Sequence, residues 1–106
     1  MNIMTESEYN QLTSALFARI EQAIDASGAD IECNPSGSVM QLEFSDRSQV
    51  VVNRHALYQE MWLAAKSGAY HYGYQDGQWL SRRDDSEFYS KLSELVRLGS
   101  GETLTF

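Results

Sequence analysis

Glu60-Met61-Trp62-Leu63-Ala64-Ala65-Lys66-Ser67-Gly68-Ala69-Tyr70-His71-Tyr72 reads as two short strands joined by a Ser67-Gly68 turn. Side chains alternate along a strand, so Met61 and Leu63 share one face of the first strand and Trp62 and Ala64 the other. In the second, Tyr70, Tyr72 and Tyr74 fall on one face, with Ala69, His71 and Gly73 opposite. If the aliphatic and tyrosine positions meet a core, Trp62 and His71 stand outside, and a Trp on an open sheet face marks a binding surface. The inverse assignment makes Trp62 core and the Met61 side the surface. This segment alone is compatible with both, because short strands are ambiguous.

The flanking sequence supplies more strands. Downstream, Asp76-Gly77 is a hairpin signal before Gln78-Trp79-Leu80-Ser81. Upstream, Gln49 to Arg54 is a β-branched run, separated by an uncertain connection over His55 to Gln59. Before it, Met40, Leu42 and Phe44 alternate with Gln41 and Glu43, and Asp30-Ile31-Glu32-Cys33 alternates in the same way. Pro35-Ser36-Gly37 is the turn between those two. At the N-terminal end, Thr5-Glu6-Ser7-Glu8 is a capping box. Tyr9, Leu12, Leu16, Ile20 and Ala23/Ile24 then form an apolar helical stripe that Ser27-Gly28 ends. Asp84 or Asp85 can cap a second helix carrying Phe88, Leu92, Leu95 and Val96, ended by Gly99, and the tail with Leu104 and Phe106 packs back.

The order is helix, six strands, helix, with turn-sized links. That predicts an α+β two-layer sandwich: two helices packed on one face of a six-stranded antiparallel sheet, in a single domain over 1–106. The face shared by Leu42, Leu63 and the tyrosines is the more apolar one and belongs under the helices. On that ground Trp62 is placed outside.

The net charge is −7, unevenly distributed. Residues 1–53 carry eight acids against Arg19 and Arg47, for −6, whereas residues 54–106 carry seven acids against six bases, for −1. Such a surface repels nucleic-acid phosphates and anionic lipid and attracts cations or a basic protein; the alternative is plain solubility. The single Cys excludes an internal disulfide and any Cys-based zinc cluster. Cys33 follows Ile31 at period two, which predicts a buried packing role. Met1-Asn2-Ile3-Met4 has neither a basic region nor an apolar run, so no leader or membrane span is expected and the chain is predicted to be cytoplasmic.

No phosphate loop, nucleophile elbow, His-x-x-x-His or Cys-x-x-Cys occurs, so a conventional catalytic site is not expected. Carboxylates remain. Glu21 and Asp25 lie four apart on the helix, near its C-terminal end, where the dipole disfavours acids. With Asp30 and Glu32 they crowd one turn, and their outward sides can share one edge. Such oxygen donors suit iron, manganese, magnesium or calcium, held shallowly and weakly. Two carboxylates about 6 Å apart in water repel by only ~0.7 kcal/mol, so a solvated acidic face with no metal role is the competing reading.

The chain resembles the frataxin family, most closely its bacterial, CyaY-type members. The resemblance rests on the acidic first helix, Val52-Asn53-Arg54, Met61-Trp62-Leu63-Ala64, Gly68-Ala69-Tyr70-His71-Tyr72, Asp76-Gly77-Gln78-Trp79, Glu87-Phe88 and Gly101-Glu102-Thr103-Leu104-Thr105-Phe106, in that order. It implies the same two-layer fold and a role in iron–sulfur cluster assembly. It implies weak binding of iron(II) and iron(III), and docking on a cysteine desulfurase and its scaffold protein. There the family modulates sulfur transfer and is a candidate iron donor. Carried over by position, Glu21, Asp25, Asp30 and Glu32 are the expected iron ligands, with Glu6 and Glu8 as further candidates, and Asn53, Trp62 and His71 form the docking patch. Gln22, Ala26, Ser27, Ala29 and Asn34 interrupt the consecutive acids common in the family, which lowers the metal capacity expected. A monomer without iron is expected. The competing functions are a ferroxidase that oxidises iron(II) on the acidic ridge, and an interaction module independent of metal.

Overall fold

A computed structural model describes residues 4–106; Met1 to Ile3, on which the reading of a leader-free start partly rests, lie outside the described residues. Helix α1 spans Glu6–Ser27. Its start is the expected capping box: the Glu8 amide donates to Thr5 Oγ1 at 3.1 Å and the Thr5 amide to Glu8 Oε1 at 2.9 Å. Gly28 ends it in the left-handed conformation, at φ 66°. The buried stripe is wider than expected, because Thr13 and Phe17 join Tyr9, Leu16, Ile20, Ala23 and Ile24. Thr13 is tolerated there because its hydroxyl donates to the Tyr9 carbonyl at 2.9 Å.

Six strands follow: β1 Glu32–Ser36, β2 Val39–Glu43, β3 Gln49–His55, β4 Glu60–Ala65, β5 Gly68–Gln75 and β6 Gln78–Ser81. They pair antiparallel in chain order, so the sheet is a meander with β1 and β6 at its edges. Two turns differ from the sequence reading. β1 begins later and runs through Pro35, and the turn is Gly37-Ser38. Proline is accepted there because an edge strand can forgo an amide donor. The β4–β5 turn is Lys66-Ser67, since Ala65 pairs with Gly68, which opens β5 at φ 144°. The uncertain link from β3 to β4 is a 3-10 turn over Ala56–Tyr58. The Asp76-Gly77 hairpin is as expected, with φ of 52° and 81°.

Helix α2 spans Phe88–Ser100, and both of its ends differ from expectation. Glu87, not Asp84 or Asp85, is the cap: its carboxylate accepts from the Tyr89 amide at 2.7 Å and the Ser90 amide at 3.1 Å. Asp84 instead closes the preceding turn, accepting from Ser86. Gly99 lies inside the helix, and Gly101 ends it at φ 77°. Gly99 is needed for packing, because a Cβ there would collide with the Phe44 ring.

Both helices cover one sheet face. Met40, Leu42, Val50, Val52, Met61, Leu63 and Tyr72 form its buried floor, against Leu16, Ile20, Phe88, Leu92 and Val96. Tyr70 and Tyr74 pack at the margin of this core, and Leu104 in the tail is buried against it. The fold is therefore the expected α+β sandwich. Two polar contacts fix the first layer on the second: the Tyr9 hydroxyl donates to the Glu60 carbonyl at 2.7 Å, and the Arg54 guanidinium lies 4.7 Å from the Phe17 ring centroid.

Leu16→Ala and Phe88→Ala should each lower unfolding stability by about 2–5 kcal/mol, read from denaturant midpoints, because each empties a fully packed site between the layers. Parent-like midpoints for both variants would rule out this packing.

Candidate functional site

The uncovered sheet face is organised by strand register. Val39, Asn53, Trp62 and His71 occupy one cross-strand row over β2, β3, β4 and β5. The three residues expected to form a docking patch are thus neighbours. Trp62 is half-buried, because both faces of its indole are covered. His71 stacks on one side at 4.1 Å between centroids and 12° between planes, and His55 on the other at 4.0 Å and 11°. Tyr58 extends the stack beyond His55 at 4.9 Å. A visitor therefore meets the edges of a stack of four rings.

His55 and Tyr58 were not singled out in the sequence. His55 is two residues beyond Asn53 and so on its face, and it lies diagonal to Trp62, within reach of an aromatic side chain. That signal was available once the β3–β4 register was known. Exposed Leu57 and Tyr58 sit on the 3-10 turn at the rim, the residues at 82% and 60% exposure. That turn is tied to the start of α1 by Gln59, which accepts from the Met4 amide and donates to its carbonyl.

Glu60 is the second feature not anticipated. It is 8% exposed on the same face. Its Oε1 accepts from the Trp62 indole at 2.9 Å, and its Oε2 from Arg82 Nε at 2.8 Å. Burying a carboxylate is costly unless it is paired and hydrogen-bonded, and both conditions hold here.

The six acidic candidates divide. Glu6 and Glu8 stand at the start of α1, and 15 residues of helix separate Glu6 from Glu21, about 22 Å along the axis. Glu8 is engaged in the cap, and the Thr5 amide and hydroxyl hold its carboxyl below the usual range. Glu21 and Asp25 lie at the other end, exposed, where the last turn carries no base. Asp30, just before β1, and Glu32, its first residue, are exposed as well, but they line a different hollow from which Glu21 and Asp25 are absent. This shallow hollow is lined by Asp30, Glu32, Glu43 and Arg47. Glu43 was missed, although the hairpin register sets it directly opposite Glu32. Gln49 Nε2 donates to its Oε1 at 3.1 Å. The donor chemistry suits a hard cation. Among the described residues, however, no three His, Cys, Asp or Glu side chains gather in an arrangement able to hold a metal ion.

Cys33 connects the two sides of this edge. It is half-buried and packs against the core margin, as expected. Burial, followed by the charges of Glu21 and Asp25, pushes its thiol up to about 11. The thiolate is the reactive form, so Cys33 stays protonated and inert at neutral pH. Raising pH through 11 should switch on its alkylation. Glu21→Gln with Asp25→Asn should lower that transition and speed alkylation by iodoacetamide at pH 9. An unchanged rate profile would place both acids away from β1.

The comparisons with known proteins agree on one family. The family model described as a frataxin-like domain matches residues 2–102. A Neisseria meningitidis protein named iron-sulfur cluster assembly protein CyaY is 46% identical over 102 residues, covering 96% of this chain and 95% of its own. A protein of the same name from Chromobacterium violaceum is 50% identical over 103 residues, covering 97% and 98%. Among solved structures, the frataxin of Psychromonas ingrahamii matches with a TM-score of 0.91 at 36% identity, over 95% of this chain and 96% of that one. A trimeric frataxin from Saccharomyces cerevisiae, complexed with ferrous iron, matches with a TM-score of 0.69 over 95% of this chain and 90% of that one. At 23% identity, that likeness is one of fold alone. With a family match over nearly the whole length, relatives close to half identical and the same layered fold, this chain belongs to the frataxin family.

Proposed function

We propose that this protein acts in iron–sulfur cluster assembly in the cytoplasm, docking through its open sheet face on a cysteine desulfurase and scaffold complex and modulating sulfur transfer there. The observation that carries this reading is Trp62. It stands on the face that no helix covers, in one row with Asn53 and His71, and held by a stack and a hydrogen bond. Aromatic side chains fixed before binding lose little entropy on docking and dominate interface energies. The names of the full-length relatives support the pathway.

Iron is the second element of the proposal. Glu21, Asp25, Asp30 and Glu32, now with Glu43, offer paired carboxylates along the α1–β1 edge. Pairs without a third ligand fit a hydrated iron ion held weakly, in either oxidation state, as cargo or signal. Glu6 and Glu8 form a separate locus at the far end of α1. The lack of a gathered ligand set among the described residues favours a second reading, in which docking and modulation are independent of metal.

Incubating the protein with bacterial cysteine desulfurase and scaffold, with iron(II) or with a chelator, tests both. Direct binding and an altered rate of sulfur transfer are expected. No binding to either protein would overturn the proposal, and modulation unchanged by the chelator would select the metal-independent reading.

Trp62→Ala should weaken docking at least tenfold. It should lower unfolding stability by only about 1–2 kcal/mol, the worth of two lost ring contacts on a half-open face. Parent-like docking by a folded Trp62→Ala protein would remove the sheet face from the interface.

Asp25→Lys with Glu32→Lys should weaken iron binding by about tenfold in calorimetric titration while leaving the fold intact. A base in the last turn of α1 suits the helix dipole, so the free protein should gain ~0.5 kcal/mol. Divalent cation should raise the melting temperature of the parent more than that of the double variant, because only binding to the folded form stabilises it. Equal affinity and equal melting shifts would make the edge a solvated face only.

A further inference from the structure

Arg82 follows directly after β6 and turns back over the open face of the sheet. To reach Glu60 on β4, its side chain must cross β5. It does so above Gly73, where an added Cβ would stand 2.8 Å from a terminal nitrogen of Arg82. Glycine at this position keeps the lane open. The same Glu60 carboxylate that receives Arg82 Nε also receives the Trp62 indole, so one largely buried group holds both side chains. Yet the Arg82 side chain remains 65% exposed. Among the described residues its hydrogen bonding is spent on Nε alone, so the terminal nitrogens, one of them lying over Gly73, stay without a partner on a side chain that is mostly open to solvent.

We propose that Arg82 is a second recognition residue of the docking face, taking a carboxylate of the partner beside the Trp62 stack, with Glu60 as the positioning residue for both. The inference rests on the sheet-face reading above. A guanidinium keeps its charge at any physiological pH, and its end-on fork matches the two oxygens of a carboxylate. Outward positions of the central strands are Val51, Asn53, His55, Glu60, Trp62, Ala64, Ala69, His71 and Gly73, and the one acid among them, Glu60, is the residue that holds Arg82. Behind this patch, Asp84, Glu87 and Glu94 keep their charges while accepting from Ser86, the first amides of α2 and Lys91, and Arg83 and Lys91 stand among them, so the approach to Arg82 free of competing acids is from the sheet side. A cationic point on a chain of net charge −7 gives docking a polarity. A basic surface of the partner would face the α1–β1 edge while an acidic side chain meets Arg82, and the reversed orientation would set like charges together.

The test measures affinity for the desulfurase complex at low and moderate sodium chloride, for the parent, Arg82→Ala, Arg82→Lys, Glu60→Gln and Trp62→Ala. Arg82→Ala should bind about tenfold more weakly than the parent. Arg82→Lys should recover only part of the loss, because an ammonium lacks the planar fork. Glu60→Gln keeps an oxygen for the indole but loses the charge that anchors Arg82, so it should fall between parent and Arg82→Ala. The indole N–H resonance of Trp62 should move in Glu60→Ala and stay in Arg82→Ala, which separates positioning from contact. Parent-like or tighter binding by Arg82→Ala, beside weak binding by Trp62→Ala, would overturn this inference and leave the sheet face standing. Parent-like binding by Trp62→Ala would overturn both.

Discussion

Burying Met61 and Leu63 beneath the two helices sets the direction of every other side chain on β4. A strand repeats every two residues, so a slip of one would carry Trp62 into the core and Met61 to the surface. The neighbours enforce the choice. Leu63 pairs with Val52 and Tyr70, so its apolar row continues across three strands, and Met61 pairs with Tyr72 and with Arg54, whose guanidinium lies over the Phe17 ring. Glu60, Trp62 and His71 are outward by the same geometry. The apolar packing that stabilises the fold and the polar surface that reaches a partner are thus two consequences of one register.

The outer face is not a loose collection of residues. Imidazoles close both sides of the Trp62 indole, and a buried carboxylate fixes its edge. Each contact is modest, about 1 kcal/mol or less for an exposed stack. Together they leave the indole one orientation, which is what preorganisation requires. The Tyr9 hydroxyl joins this arrangement from behind, since it binds the backbone carbonyl of Glu60, the residue that holds Trp62 in front.

The fold was largely legible in the sequence because alternation and capping are local. The Thr5 box, the helical stripe and Asp76-Gly77 needed no knowledge of distant residues. The misplaced boundaries lie where a second partner decides. Pro35 looks like a turn residue until β1 is known to be an edge, and Gly99 looks like a helix end until Phe44 is found against it. The surface was legible in part. Trp62, His71 and Asn53 could be placed by alternation and by resemblance, and they do share a row. Glu60, His55 and Arg82 could not, because their roles arise from pairings across two or three strands. Glu43 was hidden for the same reason, its relation to Glu32 being set by a hairpin register.

β1 lies at a free edge of the sheet, where unpaired backbone groups could receive a strand from another copy. Its composition opposes this. Pro35 has no amide hydrogen to offer. Glu32 faces outward from β1 with Glu43 directly beside it, and a second identical edge would bring the same charges against them. The acids at this margin therefore protect the molecule from adding to itself into fibres, whether or not an ion ever visits them. Replacing them wholesale to remove metal affinity would also unguard the edge.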